Sequence, residues 1–143
     1  MEKNRLEAFS DGVLAIYWVN HHLIFLKAET VNIKILWCNI GWLFVMSLVP
    51  FTTAWVGSYP TSWMPLTLYF ADMAMAAFTY HQMYYLIADE RGEKITFKLS
   101  ARNIISMVTY TLAAALGGFC PVVANIIVAV VTCWWIFPEK AKQ

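Results

Sequence analysis

The sequence predicts an all-α fold, a polytopic transmembrane helical bundle with four clear spans and a short apolar helix at its N-terminus. Three observations carry that prediction. Two long stretches, Ile35 to Ala71 and Asn103 to Pro138, contain no Asp, Glu, Lys or Arg. Each is interrupted once by turn-forming residues, Gly57 to Ser62 in the first and Gly117, Gly118 and Pro121 in the second, as two helices joined by a tight turn require. The chain as a whole is 60% hydrophobic and 13% charged, where a soluble domain carries about 25% charged residues, and its mean hydropathy is +0.57.

The first element is an apolar helix over 9–26. Only 15 residues separate Asp11 from Lys27, fewer than the roughly 20 needed to cross a bilayer. A short, tilted or interfacial helix is expected there. Spans near 35–56, 63–88, 102–117 and 120–137 follow from the uncharged stretches and their breaks. With 143 residues and about 20 per crossing, these elements fill the chain as a single integral membrane domain. Glu2, Glu7 and Asp11 interrupt the N-terminus, so a cleaved signal peptide is not expected.

Basic residues favour the cytoplasmic side of a membrane. Arg91, Lys94, Lys98 and Arg102 cluster in the one long hydrophilic linker, Lys140 and Lys142 lie in the tail, and the 57–62 and 117–121 turns have none. The turns are therefore expected outside, the linker and tail inside, in a multi-pass protein of the cell membrane. The N-terminal helix conflicts with this pattern, because Lys3 and Arg5 precede it while Lys27 and Lys34 follow it. One crossing leaves a basic flank outside.

Several classes are disfavoured. A net charge of +1, with neither a basic patch nor a stacking motif, argues against a nucleic-acid partner. Nucleophile elbows, Walker loops and HExxH sequences are lacking, so no enzyme and no cofactor are expected. Cys38, Cys120 and Cys133 lie in apolar runs without paired spacing and read as small hydrophobes. His21 and His22 are adjacent, so on a helix they diverge by about 100° and do not suit a shared metal. They read as polar helix contacts, as does Asn20 beside them.

Asp72 is the one acidic residue deep in an expected span, about ten residues or 15 Å along it. It serves either as a functional polar lining or as a neutral acid hydrogen-bonded to a neighbouring helix, since a carboxylate alone in lipid is costly. Ser10 and Asp11 at the mouth of the first apolar run admit two readings as well. They mark a helix N-terminus, where Ser and Asp accept backbone hydrogen bonds, or they belong to a functional motif.

The second reading rests on a resemblance. Arg5, Phe9, Ser10 and Asp11, followed by Gly12 to Ile16, resemble the signature that opens the first transmembrane helix of the transmembrane protein 175 family, potassium leak channels of endolysosomes and bacterial membranes. The likeness recurs in Tyr17 to His22, in Leu36 to Asn39, in Ser47 to Phe51 and in Trp135 to Glu139. It implies a potassium-permeable subunit that conducts passively through an oligomeric pore, a homotetramer by analogy with bacterial relatives, with potassium ions and the lipid bilayer as its partners. It also implies that Arg5, Phe9, Ser10 and Asp11 form the pore motif and that Ile16 is the pore constriction. Relatives have two full helices where this chain runs directly from Ile16 into Tyr17, which implies an internal deletion at that junction. Weak or absent conduction is expected in consequence, and the alternative to a channel is a non-conducting membrane-embedded remnant.

Overall fold

The computed structural model describes residues 3–28, 30–60, 62–92, 97–116, 119–134 and 136. They form five helices: α1 (Lys3–Phe25), α2 (Ile33–Ser58), α3 (Trp63–Glu90), α4 (Phe97–Leu116) and α5 (Pro121–Trp134). No strand occurs among the described residues.

Each helix buries a stripe spaced alternately by four and three residues. On α1 the stripe is Val13, Tyr17, Asn20 and Ile24; on α4 it is Ser106, Tyr110 and Ala113; on α5 it is Ala124, Val128 and Val131. Such spacing matches the helical turn of about 3.6 residues and keeps one face of each helix toward its neighbours. The burial on α3 is broader, running from Pro65 to Ala88, because α2 packs on one side of it and α4 on the other. Ala76, Ala77, Ala88, Ala113 and Ala124 lie in these seams, where small side chains let backbones approach.

Local signals set the helix ends. Asn32 caps α2, its Oδ1 accepting from the amides of Lys34 and Ile35 at 2.9 and 3.0 Å, a cap worth about 1 kcal/mol. Its Nδ2 donates to Glu90 at 2.9 Å, which ties the start of α2 to the end of α3. Gly92, at φ 63°, closes α3 in the left-handed region that a side chain disfavours. Pro50 lies inside α2 and removes one amide from its hydrogen-bond ladder.

The observed helices differ from expectation in three ways. The helix expected over 9–26 starts at Lys3, because Lys3 to Ala8 are mostly good helix formers with no breaker among them. At about 1.5 Å per residue, its 23 residues make a rod some 34 Å long. Similarly, α4 begins at Phe97, inside the hydrophilic linker. Among the described residues, α2 alone is both long and apolar enough to cross a membrane by those criteria; Ile104–Leu116 and Val122–Trp134 are shorter apolar segments. α3 has 28 residues but is diluted by Asp72, His81, Gln82 and several tyrosines.

Candidate functional site

The N-terminal motif lies within α1. Arg5, Phe9 and Ser10 belong to the helix, while their side chains lie outside the described ones; Asp11 is exposed. Because the helix begins seven residues before Ser10, the pair Ser10 and Asp11 does not cap it, and the reading of these residues as a helix start is corrected. Ile16 is half-buried and packs against the core. On its open side it borders a cleft of about 220 Å³ lined also by Ala15, Val19, Asn20 and Ile136.

Asn20 is 8% exposed, and its Nδ2 donates to the Ile16 carbonyl at 2.9 Å. Its own carbonyl accepts from the Tyr80 hydroxyl at 3.3 Å. Tyr17, on the same buried stripe, sets its hydroxyl 3.1 Å from that of Tyr110 on α4 and 4.0 Å from the Met73 sulfur. The Tyr110 hydroxyl lies 3.3 Å from Thr132 Oγ1 on α5. A seam of hydroxyls thus runs from α1 through α4 to α5 in the middle of the bundle.

His21 and His22 diverge as adjacent helical residues must: His22 is exposed and His21 is half-buried. The Nε2 of His21 donates to Asn39 Oδ1 at 2.7 Å. Its ring stacks on Trp42 with centroids 4.3 Å apart and planes 13° from parallel. Trp18 meets the same indole edge-on at 5.7 Å. The spacing of Trp18 to His21 on α1 equals that of Asn39 to Trp42 on α2, and two antiparallel helices bring such pairs into register. Trp42 is fully buried, and its Nε1 has no hydrogen-bond partner among the described residues. It is a core residue and not an interfacial anchor, in contrast to Trp18, Trp37, Trp63 and Trp134, which are exposed.

Asp72 is 8% exposed, with its Oδ2 3.1 Å from the Thr52 hydroxyl on α2. That hydroxyl also lies 3.1 Å from the Val49 carbonyl and 3.3 Å from that of Leu48. One hydroxyl proton faces three acceptors. The hydroxyl thus donates across to Asp72 as well as back to its own helix, and ties α2 to α3 at this level. Asp72 and the cluster around His21 are separate contacts, joined through α2.

Sequence reasoning missed Thr52, Tyr110, Thr132 and the role of Trp42. Matched spacing on neighbouring apolar segments was a usable signal for His21 with Asn39 and Trp18 with Trp42. Nothing in the sequence pairs Tyr17 with Tyr110, 93 positions away.

Among the described residues the chain is a helical bundle with one helix long and apolar enough to cross a membrane and with aliphatic and aromatic side chains exposed along it, features that fit a helical membrane protein. The family described as the endosomal/lysosomal potassium channel TMEM175 matches this sequence over residues 13–50. A potassium channel from Chryseobacterium sp. (strain P1-3) is 30% identical over 183 aligned positions, which cover 98% of this chain and 95% of the relative. The chain belongs to the TMEM175 family. An alignment of 183 positions on a chain of 143 residues leaves at least 40 positions of the relative unfilled here. No solved structure matches the chain.

Proposed function

We propose that this chain is a potassium-permeable leak channel subunit, multi-pass in the cell membrane, that conducts passively as a homo-oligomer. The observation that carries the reading is the relationship to a bacterial potassium channel over 98% of the chain. The surface agrees with a lipid environment. Ile33, Leu36, Trp37, Ile40, Phe44, Leu48 and Phe51 are all exposed along α2, a continuous apolar stripe of the kind that marks contact with lipid or another protein.

In this reading α2 to α5 cross the bilayer, and four subunits surround the conduction path. Arg5, Phe9, Ser10 and Asp11 act as the pore motif, and Ile16 narrows the path as an aliphatic ring that is poorly wetted. Asn20, His21 and Asp72 serve as polar contacts that hold the helices in register, with His22 at the surface. Selectivity then comes from narrow apolar and hydroxyl-lined rings, since the chain has no TVGYG sequence of the kind that builds carbonyl filters.

A second reading, a membrane-embedded bundle that does not conduct, is favoured by the at least 40 unfilled positions. Placed between Ile16 and Tyr17, where the resemblance implies a deletion, a loss of about two crossings' worth of chain interrupts the helix that carries Ile16. Planar-bilayer recording under opposed KCl and NaCl solutions separates the two. A current whose reversal potential follows the potassium gradient supports the channel, and no current above the bare bilayer supports the remnant.

A further inference from the structure

We infer that α1 crosses the membrane in the sense opposite to that needed to keep its N-terminus cytoplasmic, so that Lys3 to Asp11 are displayed on the outer face. This rests on the membrane reading above. It arises from the register of α1 against its neighbours.

The pairs Trp18 with Trp42 and His21 with Asn39 show α1 and α2 to be antiparallel. Each residue toward the start of α1 is a residue toward the end of α2. Continuing that register sets Lys3 about level with Gly57, beside the turn that follows α2. The opposite end is fixed independently, because Ile24 and Lys27 share a small notch with Tyr84, Ile87, Ala88 and Arg91 near the end of α3. Asn32 reaches Glu90 at this same end. From Lys3 to Ile24 the helix rises about 32 Å, as much as the roughly 30 Å hydrocarbon core. The two ends of α1 therefore emerge on different faces.

Charge decides which face is which. The end of the bundle holding Lys27, Lys34 and Arg91 also receives the start of α4, which carries Lys98 and Arg102. The other end has Lys3 and Arg5, and with them on α1 Glu7 and Asp11. Five basic residues against two on the described helices and turns assigns the first end to the cytoplasm. The near-balanced N-terminal segment is the one that gives way, so the conflict between the flanks of this helix is resolved by exporting its start. As a result, the exposed Asp11 carboxylate meets ions from outside, and Ile16 follows about 7.5 Å deeper.

Single-cysteine variants of the full chain test this, with Cys38, Cys120 and Cys133 replaced by alanine and one cysteine placed at Ala8, Tyr59 or Asp89, all exposed positions. A membrane-impermeant thiol reagent is applied to intact cells and to permeabilised ones. Positions 8 and 59 are expected to label in intact cells, and position 89 only after permeabilisation. Labelling of 59 but not 8 in intact cells overturns the orientation of α1 while leaving α3 as a crossing helix. Labelling of 59 and 89 from one side removes the membrane reading and this inference with it. Should the cysteine variants not accumulate, a protease-cleavable tag ahead of Met1 in the otherwise unchanged chain gives the same answer. Its loss from protease-treated intact cells supports the outer location, and its protection overturns it.

Discussion

Replacing Asp72 probes whether the deepest acid in the bundle acts as a neutral hydrogen-bonding group. The carboxyl is 8% exposed and its one described side-chain partner is the Thr52 hydroxyl at 3.1 Å. Hydrogen bonds between membrane helices contribute about 0.6 kcal/mol on average and up to about 1.7. Asp72→Asn keeps the shape and the capacity to donate to Thr52, so its cost is expected to stay within about 0.5 kcal/mol, below the average worth of such a bond. Asp72→Ala and Thr52→Val each remove the bond and are expected to cost at least about 0.6 kcal/mol, more for alanine because a cavity remains. The double variant Asp72→Ala/Thr52→Val is expected to cost less than the sum of the two by that same coupling. Reversible unfolding in mixed micelles by SDS titration measures all four. The reasoning is refuted if Asp72→Asn unfolds the protein while Asp72→Glu does not, since the site then requires a negative charge. It is equally refuted if Asp72→Asn and Asp72→Ala are indistinguishable.

The same unfolding assay checks two further seams. Tyr110→Phe removes the bonds toward both Tyr17 and Thr132 and is expected to cost about 1 to 2 kcal/mol, with Thr132→Val adding little to it. Trp42→Phe keeps a ring against His21 and deletes an unpartnered buried N–H, so it is expected to be milder by about 2 kcal/mol than Trp42→Ala, which opens a large cavity; equal costs would contradict the stacking role. His21→Ala is expected to destabilise and His22→Ala to leave stability unchanged, because only His21 reaches Asn39. Ile16→Asn, assayed by ion flux, is expected to raise leak by wetting a narrow ring, and an unchanged or reduced leak argues against Ile16 as the constriction.

The helical class and the approximate place of each helix were legible because charge is excluded from Ile35 to Ala71 and from Asn103 to Pro138, and helices in such stretches satisfy their own backbone. The ends were less legible. Lys3 to Ala8 and Phe97 to Arg102 are polar enough to look like linker yet contain no breaker, so the helices run on into them. The start of the first helix was likewise hidden: its charge-free run is 15 residues, whereas the helix that contains it is 23 residues long. Within the site, Asp72 was visible as an anomaly, whereas its partner Thr52 was not, because threonine on a helix ordinarily bonds its own backbone. The core role of Trp42 was illegible for a related reason: tryptophan near a span end is commonly interfacial, and only the approach of His21 and Trp18 from α1 makes it core.

Potassium flux into liposomes reconstituted with the unmodified 143-residue chain is the measurement nearest to the proposed function. Vesicles loaded with KCl and diluted into an impermeant-cation buffer are supplied with a proton ionophore and followed by a pH-sensitive dye. Potassium efflux then drives proton uptake and dye quenching. A small quench above protein-free vesicles, larger with a potassium gradient than with a sodium gradient and increased when a segment of about 40 residues from the relative is inserted between Ile16 and Tyr17, is the predicted result. Quenching equal to that of protein-free vesicles, in a preparation shown to be folded and inserted, contradicts the assignment of this chain as a channel subunit.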